Sequence, residues 1–275
     1  MRRGTIELPV GAVPILKALL KMKLATWNVN SLAVRLPQLL DWLAANPVDA
    51  LVLQETKLTD DKFPHAAIEA AGWQARCFGQ RTYNGVALLS RGAAADVTFN
   101  IPGHDDPQAR VVAGTVDGVR LVGAYVPNGQ SPESDKFAYK MRWLDALRGW
   151  LEDELAAHPQ LALMGDVNIA PEDRDVHDPA LWHGKVMCTS EERAQFQALL
   201  ALGLHDAFRL FEQPPKTFSW WDYRMLAFRR NQGLRIDHIL VSDALKSRVT
   251  ACEVDRLPRK NERPSDHAPV IAMLA

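Results

Sequence analysis

Short apolar runs alternate with a few amphipathic stretches along nearly the whole chain, and this alternation limits the fold more than any other feature. Short apolar runs bounded by turn residues favour buried strands. We predict strands at residues 23–29, 48–54, 73–79, 84–90, 94–99, 111–116, 120–126, 161–165, 236–242, 249–254 and 267–273. Helices are predicted at 36–45, 134–157 and 190–202. This order favours an α/β fold with two packed sheets flanked by helices.

The chain lacks any stretch with the composition of a linker between residues 22 and 275, so we predict a single domain there. Residues 1–21 are expected to be a disordered leader or an over-extended start. A secretory signal is the alternative, but Glu7, Pro9 and Pro14 interrupt its apolar part. No apolar run approaches the roughly 20 residues of a membrane span, so we expect no membrane partner.

Composition and charge exclude several classes of protein. The 275 residues are 47% hydrophobic, which suffices for a large core, and the net charge of -1 means that any nucleic-acid contact must come from a local basic patch. The three cysteines, Cys77, Cys188 and Cys252, form no CxxC pair. They argue against a disulfide framework and a thiolate zinc site, and they suit a cytoplasmic location.

Polar residues stand at the ends of five predicted strands, where loops commonly build a site on a rigid scaffold. They are Asn28 and Asn30, Gln54 and Glu55, Asp166 and Asn168, Asp237, and Asp266 with His267. Carboxylate and amide oxygens are hard ligands that suit Mg²⁺. A histidine with nearby aspartates suits acid–base or electrostatic work on an anion.

Each of these residues also has a simpler interpretation. Glu55 alone is more typical of a helix cap or a surface ion pair, and Asp166 alone of a turn. His267 alone is consistent with a satisfied core histidine, and the Trp220–Trp221 pair with core aromatics. Only the ordered set of five segments favours a metal-dependent site for phosphate chemistry.

Seven segments, in this order, resemble the exonuclease III family of AP endonucleases. They are WNVN at 27–30, LQETK at 53–57, NGVA at 84–87, YVPNG at 125–129, GDVNI at 165–169, GLRID at 233–237 and PSDHAP at 264–269. The Glu, Asp-x-Asn and Ser-Asp-His elements are shared with the wider endonuclease/exonuclease/phosphatase superfamily. The LQETK and GLRID segments, with FSWWDYR at 218–224, look specific to its DNA-repair branch.

The resemblance implies a four-layer α/β sandwich of two packed mixed sheets flanked by helices, with the site where the sheets splay apart. It implies that Glu55 is the principal Mg²⁺ ligand, that Asn30 and Asp266 support it, and that Mn²⁺ substitutes for Mg²⁺. Asp237 would orient His267, and His267 would contact the scissile phosphate.

The same resemblance assigns the remaining catalytic residues. Asp166 would activate or align the attacking water, while Asn168 and Asn28 would position the water and the phosphate. Tyr125 would contact a phosphate oxygen or help the leaving group. Which group deprotonates the water stays open between Asp166, His267 and the metal ion.

Substrate binding is assigned to other residues. Trp220, Trp221 and Leu234 resemble the apolar wedge and pocket that lie beside a damaged nucleotide in the family. Candidates for phosphate contacts are Arg224, Arg229, Arg230, Arg235, Lys57 and Lys140, although scattered basic residues on a solvated face explain the same pattern.

Two departures from the family pattern bear on substrate choice. Asn128 stands where Gln is common, and the loop at 169–179, which carries His177, is bulkier than the glycine-containing version of some members. A larger residue there would narrow the space beside the cut. The alternative is that His177 is satisfied locally as a structural residue.

We therefore expect a Mg²⁺-dependent DNA-repair nuclease that works at 3′ ends, as a 3′–5′ exonuclease, 3′-phosphodiesterase or 3′-phosphatase, with abasic-site incision as a further activity. The expected partner is double-stranded DNA with abasic sites, nicks or blocked 3′ ends, bound by a monomer. The alternatives are a superfamily phosphodiesterase or phosphatase that acts on RNA or a phospholipid, and a nucleic-acid-binding pseudoenzyme.

Overall fold

The structure, a computed structural model, describes residues 21–275. Their strands are β1 Met22–Asn28, β2 Ala50–Gln54, β3 Gln74–Phe78, β4 Val86–Ser90, β5 Ala95–Phe99, β6 Val111–Val116, β7 Val119–Tyr125, β8 Leu161–Asp166, β9 Leu204–Asp206, β10 Asp237–Ser242, β11 Val249–Val254 and β12 Val270–Leu274. Their α-helices are α1 Leu32–Ala45, α2 His65–Ala70, α3 Asp135–Ala157, α4 Pro179–Trp182, α5 Ser190–Leu200, α6 Ala227–Arg230 and α7 Asp243–Lys246.

The strands form two six-stranded mixed sheets. One has the order β11-β12-β1-β2-β4-β3 and the other β5-β6-β7-β8-β10-β9. Neighbouring strands are antiparallel except for the pairs β1–β2 and β7–β8, which are parallel. The parallel pairs lie centrally in each sheet and are connected through helices, as parallel strands require.

Both faces of each central strand are buried, which explains why their sequences are continuously apolar. Along β1, Leu24 packs into the core between the two sheets, whereas Ala25 and Trp27 pack on the other face with Leu39 and Trp42 of α1. A third apolar cluster joins the outer face of the second sheet to α3 and α5. The four layers are therefore helix, sheet, sheet and helix, and the predicted four-layer α/β sandwich is confirmed.

Local capping explains where the long helices start. The side chain of Ser134 accepts a hydrogen bond from Phe137 N (3.1 Å) at the start of α3. Thr189 and Glu192 form a reciprocal capping box at the start of α5, as the Thr/Ser-to-Glu spacing predicts. The short elements β9, α2, α4, α6 and α7 were not predicted, since runs of three to six residues give too little periodicity to recognise.

β1 begins at Met22, where we expect the domain to begin. The predicted leader at 1–21 lies outside the described residues except for Lys21. Within residues 21–275, none of the helices is long and apolar enough to span a bilayer.

Candidate active site

The polar strand ends meet at one edge of the two sheets, around a pocket of about 250 Å³. Its lining residues are Glu55, Tyr125, Asn128, Asp166, Asn168, Met187, Trp220, Ile236, Asp266 and His267. Tyr125 and Asp166 are the last residues of the neighbouring strands β7 and β8, and they are paired in register. Packing the two sheets face to face thus brings together residues that are far apart in the sequence.

Three residues of this edge have a left-handed backbone: Asn30 at φ 42°, Glu55 at φ 53° and Asn168 at φ 52°. Asparagine tolerates this region, but for glutamate it is a strained conformation that costs about 1 kcal/mol or more. Neighbouring bonds hold the turn, since the Glu55 carbonyl accepts a hydrogen bond from Ser31 N at 2.8 Å. The turn directs the Glu55 carboxylate into the pocket.

His267 lies between two aspartates. Its Nδ1 is 2.9 Å from Asp237 Oδ2, and its Nε2 is 3.7 Å from Asp166 Oδ2. Burial by itself would lower the pKa of His267, but the two carboxylates outweigh it and raise the pKa to about 10. The carboxylates on both sides thus favour the protonated imidazole, which suits contact with a phosphate.

Asn28 connects the two sheets inside the site. Its Nδ2 donates to Glu55 Oε1 and to Asp166 Oδ2, both at 2.9 Å. Tyr125 donates its hydroxyl to the same Glu55 oxygen at 2.9 Å. Burial, together with repulsion from Asp237, raises the pKa of Asp166 to about 7 against the attraction of His267.

Oxygens of Glu55 and Asn30 converge on the ammonium group of Lys57. Lys57 Nζ lies 2.8 Å from Glu55 Oε2 and 2.5 Å from Asn30 Oδ1. Burial would raise the pKa of Glu55, but the Lys57 charge and the Asn28 hydrogen bond outweigh it and lower the pKa. Asp266 lies next to this pair, with Oδ1 accepting from Asn30 Nδ2 at 2.9 Å.

This geometry fits a hard divalent cation. The Lys57 ammonium donates to oxygens of both Glu55 and Asn30, so these two residues converge on a point where positive charge is favourable. One atom each of Glu55, Asp166 and His267 also lies within 4.8 Å of the others, so the Glu55 and Asp166 carboxylates face the same space. Oxygen-rich sites with carboxylate and amide donors suit Mg²⁺ or Mn²⁺ better than softer metals.

A buried lysine supports the part of the pocket wall that Asn128 and Asn168 form. Lys140 Nζ donates to the carbonyls of Asn128 (3.2 Å) and Asn168 (2.7 Å) and pairs with Glu192 at 2.5 Å. Asn128 Nδ2 in turn donates to Asn168 Oδ1 at 3.0 Å. Because Lys140 is fully buried, it positions the loops of Asn128 and Asn168, and the predicted contact of Lys140 with phosphate is wrong.

Comparison with known proteins gives the family of the chain. The sequence model of the endonuclease/exonuclease/phosphatase family matches residues 25–267. Exodeoxyribonuclease III of Haemophilus influenzae is 34% identical over 264 residues, which cover 91% of this chain and 99% of that protein. The chain belongs to the exonuclease III family.

Solved structures place this exonuclease III family member among DNA-processing enzymes. A 3′ phosphatase from Neisseria, NExo, bound to a product DNA hairpin has 51% identity and a TM-score of 0.91, over 92% of this chain and 99% of that chain. An AP endonuclease from Archaeoglobus fulgidus has 34% identity and a TM-score of 0.89 over the same shares. The prediction of a hydrolytic nuclease of this family is confirmed.

Two of the predicted substrate contacts, Trp221 and Leu234, are buried in the structure. Trp221 has no exposed surface and packs edge-on against Phe228, with ring centroids 5.0 Å apart. Leu234 is also fully buried, and its backbone pairs with that of Trp220 (N to O, 3.0 Å). A side chain without exposed surface cannot touch DNA, so for these two residues the predicted contact is wrong and the core interpretation holds.

Arg235 was predicted as a phosphate contact, and the structure corrects this as well. Its guanidinium is 1% exposed and pairs with Asp175 (2.6 Å) and Asp206 (2.8 Å). Because Arg235 is buried and pairs with Asp175, it connects the start of β10 to the loop after Asn168. It serves this family member as a buried structural cation.

Trp220 and His177 lie closer to open space. Trp220 lines the catalytic pocket, and its Nε1 donates to Asp266 Oδ2 at 3.0 Å. His177 is half-buried and lines the adjoining cavity, not the pocket itself; its Nδ1 lies 3.2 Å from the Gly233 carbonyl. His177 is thus satisfied by the Gly233 carbonyl, a distant residue in the sequence, and not by the local partner that the structural alternative expects.

Sequence reasoning missed two residues that shape the site. Tyr223 has its hydroxyl 3.3 Å from Asn30 Nδ2 and donates to Pro264 O at 2.8 Å, so it supports the cation side of the pocket. Trp182 stands beside Trp220, with ring centroids 6.4 Å apart. Tyr223 could have been found from its place in the FSWWDYR segment. The sequence around Trp182 did not indicate that this residue lies beside the site.

Proposed function

We propose that the protein is a divalent-metal-dependent DNA nuclease that acts mainly at 3′ ends, releasing nucleotides, blocking fragments or phosphate. The observation that carries this proposal is the joint placement, in one pocket of about 250 Å³, of the His267 imidazole and the Glu55 carboxylate. A phosphodiester carries negative charge that grows in the transition state, so positive groups on both sides of it lower the barrier.

Glu55, Asn30 and Asp266 would hold Mg²⁺, and Lys57 would leave the Glu55 and Asn30 oxygens when the ion binds. The ion would supply Lewis-acid stabilisation of the phosphate oxygens. Mn²⁺ would substitute because it accepts the same oxygen donors. We also expect the protein to incise abasic sites as a secondary activity and to be a monomer.

The chain's own residues would then carry the remaining work. Asp166 would align the attacking water and accept its proton, since Asn28 fixes its carboxylate toward His267. His267, held by Asp237, would bind the phosphate oxygens through Nε2, and Tyr125 would lie on the leaving-group side. The water oxygen forms a bond to phosphorus while the P–O3′ bond breaks, leaving a 3′ hydroxyl on the DNA.

The preference for 3′ ends rests on the space beside the catalytic pocket. The pocket is small, and the His177 ring, bonded to Gly233 and packed edge-on to Trp182 at 6.3 Å, forms part of the wall next to it. An internal abasic site must be held with DNA continuing on both sides, whereas a terminus needs less room. The higher identity to the Neisseria 3′ phosphatase than to the Archaeoglobus AP endonuclease also supports this preference.

Matched duplexes test the proposal. Each would carry a 3′-phosphate, a normal 3′ terminus or an internal abasic site, and rates would be measured with Mg²⁺ and with EDTA. We expect Mg²⁺-dependent turnover that is fastest at the termini. His177→Gly should raise abasic incision selectively, and His183→Gly, which alters an exposed histidine at the other end of α4, should not.

Equal changes of all activities in His177→Gly would leave His177 as a structural residue and remove the steric explanation. Full activity in EDTA, or faster turnover of RNA or a phospholipid than of DNA, would contradict the proposed function itself.

A further inference from the structure

A second cavity, of about 710 Å³, adjoins the catalytic pocket and shares Trp220 with it. One of its walls comes from α4 and the following loop, with Leu181, Trp182 and Lys185. The other comes from the segment after Trp220, including Met225. Neither wall contains a residue to which a role in bond breaking is assigned above. The cavity is therefore separate from the bond-breaking step.

The walls of this cavity are apolar and aromatic. The Trp182 ring stands perpendicular to Trp220 at an interplanar angle of 89°, with centroids 6.4 Å apart. Leu181 is 53% exposed and Met225 is 74% exposed, which is a large apolar area to leave in water. Lys185 Nζ lies 5.9 Å from the Trp182 ring centroid and adds one positive charge at the rim.

Two further charged groups line the cavity, and they neutralise each other. Arg224 Nη2 pairs with Asp222 Oδ2 at 2.6 Å. The cavity therefore suits a flat, largely uncharged group with an anion attached nearby, and it suits a free phosphate chain poorly. A nucleobase attached to a phosphorylated sugar has this chemistry.

The opposite side of the catalytic pocket has a different character. A cavity of about 730 Å³ shares Tyr125 and Asn128 with the pocket and is lined by Gln108, Arg110 and Lys136 among other polar residues. Amide and cationic side chains suit a sugar–phosphate backbone. The catalytic pocket thus separates a polar side, next to the Tyr125 leaving-group position, from an apolar side next to Trp220.

We propose that the cavity beside Trp182 and Met225 is the subsite for the base of the nucleotide being released. This inference rests on the proposed 3′-end activity and names the substrate group that the apolar side binds. In the exonuclease step, water adds to phosphorus, the P–O3′ bond breaks, O3′ takes up a proton, and a nucleoside 5′-monophosphate leaves with its base in this subsite.

Removal of a 3′-phosphate breaks the same P–O3′ bond but releases phosphate without a base. The subsite therefore contributes to nucleotide release and contributes nothing to phosphate release. This difference separates base binding from any general effect on the catalytic pocket.

The test compares Trp182→Ala and Met225→Ala with the natural protein on duplexes that end in a normal nucleotide or in a 3′-phosphate. Stacking on one aromatic side chain corresponds to about fivefold to a hundredfold in affinity. We expect kcat/KM for nucleotide release to fall about tenfold in Trp182→Ala and somewhat less in Met225→Ala. The rate of 3′-phosphate removal should stay within about twofold.

Two controls accompany these variants. Trp182→Phe keeps an aromatic face and should recover most of the nucleotide-release rate. Leu257→Ala removes an apolar side chain that is 66% exposed and lies outside the cavity, and it should change neither rate. Equal losses of both activities in Trp182→Ala, or no loss in either, would overturn the subsite.

Calorimetric binding of thymidine 5′-monophosphate and of inorganic phosphate gives an answer that is independent of turnover. The natural protein should bind the nucleotide about tenfold more tightly than phosphate, and Trp182→Ala should lose this difference. If the natural protein releases neither nucleotide nor phosphate from DNA, the proposed function fails, and the binding ratio still decides the subsite. If the ratio of nucleotide affinity to phosphate affinity is the same in Trp182→Ala as in the natural protein, base binding in this cavity is contradicted.

Discussion

His267 Nδ1 lies 2.9 and 3.0 Å from the two carboxylate oxygens of Asp237, and neither side chain is more than 5% exposed. A carboxylate that accepts from Nδ1 fixes the proton there and sets the orientation of the ring. Nε2 is consequently directed toward Asp166 and the catalytic pocket. The two residues are separated by a long stretch of sequence, so only the fold creates this pair.

We expect Asp237→Asn and His267→Asn to act as one unit. Each should lower kcat by about 10²–10⁴-fold, because removing either partner leaves the other without its orienting bond. In a double-mutant cycle the combined loss should be far smaller than the product of the two losses. Simple multiplication of the rate losses would show that the residues act independently.

Glu55→Gln should remove the cation site while retaining the shape of the side chain. We expect kcat to fall at least about a hundredfold, since a metal ion and its ligand supply much of the charge stabilisation. Calorimetry should show loss of Mg²⁺ binding, and the thermal unfolding midpoint should remain close to that of the natural protein. Retained Mg²⁺ affinity in Glu55→Gln would show that the ligand set is different.

Lys57→Met should raise the affinity for Mn²⁺. Its ammonium contacts Glu55 and Asn30, so a divalent ion must displace it. A partly exposed ion pair of this kind is worth about 1 kcal/mol, which corresponds to about fivefold tighter binding. Electron paramagnetic resonance of Mn²⁺ measures the affinity without substrate. Weaker Mn²⁺ binding in the variant would mean that Lys57 supports the ion.

Asp175→Ala should destabilise the fold strongly. Asp175 is fully buried and pairs with Arg235 and Arg209, so its removal leaves the buried Arg235 guanidinium with Asp206 alone and Arg209 without this ion pair. We expect a loss of about 3–5 kcal/mol in the free energy of unfolding, measured by urea denaturation. Asp173→Ala breaks the exposed pair with Arg193 and should cost no more than about 1 kcal/mol. Similar losses in both would argue against the buried network.

His238 should make stability depend on pH. Burial, together with the positive charge of Arg235, lowers the pKa of His238 to about 4 against the attraction of Asp206 and Asp175. The unfolded chain has a histidine pKa of about 6.5, so it binds the proton first and stability is lost as the pH falls from about 6.5 to about 4. Urea midpoints across this window should drop less in His238→Gln than in the natural protein. An unchanged pH slope would contradict the buried neutral histidine.

The type and order of the catalytic residues could be predicted from sequence because they depend on local features. Glu55 follows β2, Asp166 ends β8 and His267 precedes β12, and loops at strand ends gather at one edge of a sheet. Residue chemistry then limits what such a group can bind. The distances between these residues were not accessible to this reasoning.

Trp220 and Trp221 show why the substrate contacts were harder to predict. The two residues are adjacent and chemically identical, yet Trp220 lines the catalytic pocket and Trp221 has no exposed surface. Which of them faces outward depends on how the backbone of Trp220 pairs with Leu234, a contact between distant segments. Sequence pattern carries no information on that register.

By itself, the sequence determined where most strands and the long helices lie along the chain and which types of polar residue stand at the strand ends, since hydrophobic periodicity and side-chain chemistry are local properties. The tertiary structure alone decided which cations are buried and which polar or aromatic residues reach open space. Arg235 and Lys140 have the positive charge of phosphate contacts, but packing places them against carboxylates inside the protein. Burial is a property of the whole packed chain, because it depends on which distant segments cover a residue.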